Sequence, residues 1–265
     1  MESKKQVSLE EIPKLEPSYF ELSAYVGTTK HMGGLKTTRE LIELCHINKD
    51  KYVLDVGCGV GATPCYLAKR YGCRVVGVDI SERMIDRSNE RAKREGVENR
   101  VKFRLADAQN LPFEDALFDV VIGESVTTFL EDKQRAVSEY VRVIKPGGYV
   151  GLNEETWIKT PPPAELVEYA TRTWDIKAEI PTSDRWEELL EGSGLRDIVV
   201  RTYKINVLGE FSQIRRYSFK DLLRMLHRTL SLYRSSAFRR YMKERLPTPK
   251  NLFEYLRYGI YVGRK

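Results

Sequence analysis

The chain has 265 residues, 42% of them hydrophobic and 31% charged, enough to bury a full core as one large globular domain without a metal or disulfide staple. No apolar run is long enough to span a bilayer, and Met1-Glu2-Ser3-Lys4-Lys5 lacks the apolar core of a signal peptide, so a cytoplasmic location is expected. The net charge of +6 is uneven: residues 201–265 carry 16 Lys+Arg against 4 Asp+Glu, an acidic body with a basic end that suggests a face meeting an anion.

In chain order, the first 40 residues mix charge with Tyr19, Phe20 and Tyr25, and a helix fits Thr37 to Cys45. From Lys51 a strand–turn–helix unit repeats. Tyr52 to Val56 is a short apolar run of the kind a strand buried on both faces requires, and Ala62 to Tyr71 reads as its crossover helix. Arg74 to Asp79 is the second strand, and Ser81 caps a helix running to Glu95. Val101 to Leu105 is the third strand and Phe118 to Gly123 the fourth. A helix over Glu131 to Val143 stops at Lys145-Pro146-Gly147-Gly148, and Tyr149 to Asn153 is the fifth strand. Such alternation predicts a parallel sheet with helices on both faces. Beyond Thr160-Pro161-Pro162-Pro163, helices fit Ala164 to Trp174 and Asp184 to Leu190. Strands fit Asp197 to Ile205 and Tyr258 to Val262. Between them Phe219, Leu222, Leu223, Leu226, Leu230 and Tyr233 recur at helical spacing after a start signal at Ser218 and Asp221.

The first strand ends in Asp55-Val56-Gly57-Cys58-Gly59-Val60-Gly61. Glycines here allow a tight turn and bring backbone N–H groups to a ligand at a helix N-terminus. The spacing Gly57-x-Gly59-x-x-Ala62 also fits a dinucleotide fingerprint. Asp55 argues for a different ligand: a carboxylate there repels a pyrophosphate but attracts an ammonium group. Asp79 ends the second strand, where an acid can take both ribose hydroxyls of either cofactor. Asp107, just past the third strand, can accept a hydrogen bond from an adenine amino group, and Met84 can pack on the adenine face or belong to the core. Each acid has a structural alternative, capping for Asp79 and turn formation for Asp107.

With these motifs the chain resembles the class I S-adenosylmethionine-dependent methyltransferases. The glycine motif, Asp79, Asp107-Ala108 with its Leu111-Pro112-Phe113 tail, Phe118-Asp119-Val120-Val121 and Lys145-Pro146-Gly147-Gly148 occur in family order between about Lys51 and Glu154. The resemblance implies an α/β, Rossmann-like, seven-stranded, mostly parallel sheet with an antiparallel last strand, helices on both faces and S-adenosyl-L-methionine as cofactor. It implies that Gly57 and Gly59 line the methionine part, Asp79 the ribose and Asp107 the adenine; Asp55, Ile80, Met84, Ala108 and Glu124 are expected to complete the cofactor-binding set. The Asp-Ala-x-x-Leu-Pro-Phe stretch is closest to relatives that methylate quinones, tocopherols, sterols or amines, so a small-molecule or lipid-like acceptor is expected.

Methyl transfer from a sulfonium is an in-line displacement that needs alignment and exclusion of water, and with some acceptors a base. Glu124, after the fourth strand in Gly123-Glu124-Ser125, is the leading catalytic candidate; it can hold an amine, accept a proton or lie near the sulfonium. His31 has the right ordinary pKa for a base. It sits in a segment that in relatives often folds over the cofactor, so residues 1–40 are expected as a lid on a domain over 41–265, with Tyr19 and Tyr25 lining it. Asn153, Glu154 and Trp157 follow the fifth strand and are expected to face the acceptor. His46 and His227 read as structural. Cys45, Cys58, Cys65 and Cys73 form no zinc-type spacing and read as buried thiols, so no metal is expected.

Two stretches exceed the family core, about 157–182 and 210–250, and are expected as helical caps that close on the acceptor. The second holds 11 Lys+Arg against 3 Asp+Glu. Arg224 and Arg228 beside Leu223 and Leu226 suggest an anionic substrate or membrane surface if the face is not simply solvated. The rivals are an RNA methyltransferase docking through this basic stretch, a non-catalytic S-adenosylmethionine-binding protein and a nicotinamide dehydrogenase. Nucleic acid is disfavoured, because no RNA-binding module is recognisable and the whole-chain charge is modest.

Overall fold

A computed structural model describes residues 18–176, 178–206, 217–245 and 248–265. Two helices, α1 (Tyr19–Val26) and α2 (Gly34–Leu44), precede the alternating region: β1 (Tyr52–Val56), α3 (Ala62–Tyr71), β2 (Arg74–Asp79), α4 (Glu82–Glu95), β3 (Val101–Leu105), β4 (Phe118–Glu124), a single 3-10 turn (Thr127–Phe129), α5 (Lys133–Val143) and β5 (Ile144–Trp157). After these come α6 (Ala164–Trp174), α7 (Ser183–Gly192), β6 (Arg196–Tyr203), α8 (Phe219–Leu232), α9 (Ser236–Arg245), α10 (Leu252–Tyr255) and β7 (Leu256–Arg264).

The strands form one sheet in the order β3-β2-β1-β4-β5-β7-β6. β1 to β5 run parallel, and β7 is antiparallel to both neighbours. Both sheet faces are covered. Leu54, Val56, Phe118 and Val121 meet Tyr140 of α5 and Trp186 of α7 on one side. Val53, Val75 and Val120 meet Leu41 of α2 and Leu67 of α3 on the other. Burial on both faces is why the central strands read as unbroken apolar runs. Strand order reverses between β1 and β4, and a crevice opens over the carboxyl ends of strands at such a switch point.

Two helix starts follow their side-chain signals. Ser81 Oγ accepts from Met84 N–H at 3.3 Å to cap α4. Ser218 and Asp221 form a reciprocal capping box on α8. The fifth strand differs from the expectation. It spans fourteen residues rather than Tyr149 to Asn153, and Lys145-Pro146-Gly147-Gly148 lies within it. The register jumps between the Phe118–Ile144 and Val120–Tyr149 pairs, so the Pro-Gly-Gly segment is accommodated as an irregularity instead of ending the strand. At its other end β5 continues to Trp157 because β7 pairs with it through Leu256; nonlocal pairing, not local propensity, sets that length.

The first extra stretch packs Leu166 and Tyr169 of α6, with Ile176 and Ile180, against Trp157, Leu252 and Leu256. The described part of the second lies elsewhere than expected. Leu232 and Phe238 pack on Leu22 and Tyr25 of α1, so α8 and α9 brace the first helix from outside. Residues 1–17 of the expected lid, and 210–216 and 246–247 of the second stretch, lie outside the described residues.

Candidate active site

All ten residues singled out for cofactor or catalysis border one cavity of about 260 Å³. Asp55, Gly57 and Gly59 approach from the end of β1; Asp79, Ile80 and Met84 from β2 and α4; Asp107 and Ala108 from beyond β3; Glu124 from β4; and His31 from the loop between α1 and α2. Tyr19 and Phe20 of α1 complete the wall.

The glycine turn is held from several sides. Cys58 N–H donates to the Val78 carbonyl at 2.9 Å, and Gly59 N–H to Asp79 Oδ2 at 2.9 Å. Gly59 has φ +53°, and a Cβ there would sit 2.0 Å from Thr29 Cγ2; at Gly57, with φ +67°, it would sit 2.1 Å from Val126 Cγ2. Neither position admits a side chain. Asp79 Oδ1 accepts from Ser81 N–H at 3.0 Å, so this acid both ties the glycine turn and faces the cavity. Burial pushes its carboxyl above the ordinary value against hydrogen bonds that favour the charged form. Asp107 Oδ1 accepts from Gln109 N–H at 2.8 Å, the turn role that was its structural alternative, while lining the cavity. Met84 is buried beside Ala24 and Val60; Ile80, in contrast, is 75% exposed, an apolar side chain at the cavity edge with nothing covering it.

The donor set fits S-adenosylmethionine. Four carboxylates, those of Asp55, Asp79, Asp107 and Glu124, border the cavity against two basic side chains, Lys30 and His31. Such a wall attracts a ligand carrying sulfonium and ammonium charges and repels a pyrophosphate.

At the β4 end, Glu124 is enclosed. Oε1 accepts from Thr38 Oγ1 and Oε2 from Thr63 Oγ1, both at 2.7 Å. His31 Nδ1 lies 3.5 Å from Glu124 Oε1, and both side chains are buried. Asn153 Nδ2 stands 3.3 Å from His31 Nδ1 and donates to the Met32 carbonyl at 2.7 Å, which fixes the loop that carries the ring. The next residue, Ser125, adopts φ +55°. A left-handed conformation in a non-glycine residue costs on the order of 1–2 kcal/mol. It is anchored by Ser125 N–H donating to the Asn153 carbonyl at 2.7 Å, with Ser125 Oγ donating to Glu155 Oε1 at 3.1 Å.

Two residues expected to face the acceptor, and one expected in the lid, do other work. Glu154 is fully buried and accepts from Val126, Thr127 and Thr128 N–H and from Thr128 Oγ1, anchoring the turn after β4. Trp157 packs with α6, and Tyr25 packs under α8 and α9 rather than facing the cavity. Sequence reasoning passed over Glu155. Successive strand residues alternate faces, so Asn153 and Glu155 share one side of β5 and Glu154 takes the other. Glu155 borders a smaller cavity of about 60 Å³, continuous in its lining with the first through Tyr19, Lys30, His31, Ser125 and Phe129. Of the extra segments, the first reaches this chamber through Trp174 and Ile176, and Asp175 Oδ2 accepts from Tyr19 N–H at 2.7 Å, tying it to α1. The second touches the site through Tyr217, whose hydroxyl accepts from Thr29 N–H at 3.1 Å. Arg228 does not join an outer apolar face: its guanidinium donates to the Val26 carbonyl at 3.2 Å. Among the described residues, no His, Cys, Asp and Glu group could hold a metal, and all four cysteines are buried and free.

The family described as "Methyltransferase domain" matches residues 54–152, the segment holding the strand ends that build the cavity. A Haemophilus influenzae protein called "Uncharacterized protein" is 29% identical over 223 residues, covering 83% of this chain and 88% of that protein. Phosphoethanolamine N-methyltransferase 1 of Arabidopsis thaliana is 32% identical over 168 residues, covering 63% of this chain, and the match spans only 33% of that longer enzyme. In fold, the chain is similar throughout its length to Haemonchus contortus phosphoethanolamine N-methyltransferase 2 in complex with S-adenosyl-L-methionine, with a TM-score of 0.70, 21% identity and 61% of that chain covered. Residues 54–152 are therefore a methyltransferase domain.

Proposed function

We propose that this protein methylates a small-molecule acceptor held beside the His31–Glu124 pair, with the cofactor lying across the ends of β1, β2 and β3. The observation that carries the reading is the convergence of Asp55, Asp79, Asp107 and Glu124 on one cavity with an acidic wall. When bound, S-adenosylmethionine supplies a methyl group on a sulfonium centre, open to in-line displacement. Asp79 accepts from the ribose hydroxyls, Asp107 from the adenine amino group, and Asp55 faces the ammonium group. Ile80 and Met84 supply apolar surface to the adenine. Tyr19 and Phe20 exclude water from the reacting end, and Glu124 and His31 orient the acceptor or take its proton.

Calorimetry tests the cofactor site. S-adenosylhomocysteine should bind and NAD should not. Asp79→Ala should weaken S-adenosylhomocysteine by about 1–3 kcal/mol, the scale of hydrogen bonds to a charged group. Unchanged affinity would remove Asp79 from the ribose, and binding of NAD alone would return the dehydrogenase reading.

A lipid-like acceptor met at an anionic membrane is a second reading, supported by the outer face of α8. Phe219, Leu226 and Leu230 are each more than half exposed there, next to exposed Lys220 and Arg224. Co-sedimentation with phosphatidylglycerol vesicles, lost in Leu226→Ser, would support it; no sedimentation at low salt would dismiss it.

A further inference from the structure

The chamber next to the main cavity holds a carboxylate whose burial nothing in the protein offsets fully. Glu155 is 5% exposed. Its Oε1 accepts from Ser125 Oγ, while Oε2 is buried and makes no hydrogen bond. A buried, half-satisfied carboxylate costs several kcal/mol, and such groups in native proteins mark a bound partner or a function. The remaining wall is aromatic: Tyr19, Phe129 and Trp174 border the same space. A carboxylate among aromatic faces recognises an alkylammonium group, through one charge-assisted hydrogen bond and the negative faces of the rings. Lys30 also borders the chamber and its charge favours the ionised form of Glu155, while Glu124 next door keeps the local balance negative.

Building on the methyltransferase reading above, we propose that this chamber is the acceptor subsite for an amine nitrogen, with Glu155 as its anionic anchor. The chamber shares His31 and Ser125 with the main cavity, so a nitrogen held there lies at the junction with the cofactor cavity. Its volume of about 60 Å³ admits an aminomethyl-sized head group, taking the roughly 30 Å³ share of one water molecule as a scale. Burial pushes the Glu155 carboxyl above its ordinary value and pushes the Tyr19 phenol up to about 12, so Tyr19 stays a neutral donor and ring face at physiological pH. The rest of the acceptor extends past Phe129 and Tyr19 into the shared space.

The test uses the full chain saturated with S-adenosylhomocysteine, titrated by calorimetry with 2-phenylethylammonium and with its neutral counterpart 2-phenylethanol. The ammonium probe should bind at least tenfold more tightly than the alcohol. Glu155→Gln, which keeps the shape and removes the charge, should abolish that preference while leaving S-adenosylhomocysteine affinity within twofold. Trp174→Leu, which keeps the carboxylate, should weaken only the ammonium probe, by several-fold. Equal affinity for amine and alcohol, binding of neither, or an unchanged preference in Glu155→Gln would overturn the proposal. Loss of S-adenosylhomocysteine binding in the unmodified protein would instead overturn the cofactor site on which it rests.

Discussion

His31 and Glu124 meet 3.5 Å apart, Nδ1 to Oε1, with 6% and 5% of their side chains exposed. They come from segments 93 residues apart, and two threonine hydroxyls hold the carboxylate in place. In Glu124→Gln the hydroxyls of Thr38 and Thr63 can still pair with the amide, because a hydroxyl turns to accept as readily as to donate. The variant should therefore fold. Turnover should fall by about 10²–10⁴-fold, the range for loss of a general base, while S-adenosylhomocysteine affinity changes little. Equal losses in both would make Glu124 a cofactor ligand. His31→Gln should be costly alone and add little to Glu124→Gln, since residues that act as a pair are not additive.

Gly59 and Thr29 define how tightly the lid closes on the glycine turn. In Gly59→Ala the new Cβ meets Thr29 Cγ2 at 2.0 Å and the backbone must hold φ +53°. Cofactor affinity should drop more than tenfold. Adding Thr29→Ser, which removes Cγ2, should recover part of it and leave the left-handed cost of roughly 1–2 kcal/mol. No recovery would mean that the loss arises in the backbone alone, as calorimetry on the parent and the two variants can show.

Much of this site is readable because most of its cofactor-facing residues sit at or just past a strand end, where local pattern fixes position. Asp55, Asp79 and Glu124 mark the carboxyl edge of strands whose apolar runs are unmistakable, so the sheet and the cavity follow together. The acceptor side is less readable because distant packing builds it. Glu154 and Glu155 are neighbours of one residue type, and only the pairing of β5 with β4 and β7 decides which faces the chamber. Tyr25 looks like a lid residue until α8, some 200 positions later, covers it. The exposed apolar positions of α8 likewise carry a strong helical period whose inner face could not be told from its outer one by spacing alone.

Tyr217 offers a test of whether the second extra segment acts on the site through the lid. Its hydroxyl accepts from Thr29 N–H, and the guanidinium of Arg91 lies 4.8 Å from its ring centroid. Tyr217→Phe keeps the ring and removes the hydroxyl. The hydroxyl also meets Thr28 Oγ1 and the Thr29 carbonyl, each at 3.4 Å, and losing these contacts should weaken cofactor binding by about 1 kcal/mol, although the residue does not line the cavity. Melting temperature without ligand should move little. Unchanged cofactor affinity would leave α8 as a brace for α1 with no influence on the lid loop.

Glu154 gives a pH dependence with a definite sign. Burial, with the neighbouring Glu155 charge adding to it, raises its carboxyl from 4.5 to about 7, against the four donors that favour its ionised form. A raised carboxyl binds its proton more tightly in the folded state than in the unfolded state. Its contribution to stability is therefore greatest below about 4.5, declines as pH rises through the window to about 7, and is level above that. The full swing is on the order of 3 kcal/mol, from 1.36 kcal/mol per unit. Because Glu139 and Asp119 are lowered and act in the opposite sense, the effect must be isolated by difference. Urea unfolding of the parent and of Glu154→Gln should show the parent's relative stability falling between pH 5 and pH 8. A constant difference would mean that the backbone N–H groups of Val126, Thr127 and Thr128 keep the carboxylate ionised throughout, and that the turn after β4 is held by charge at every pH tested.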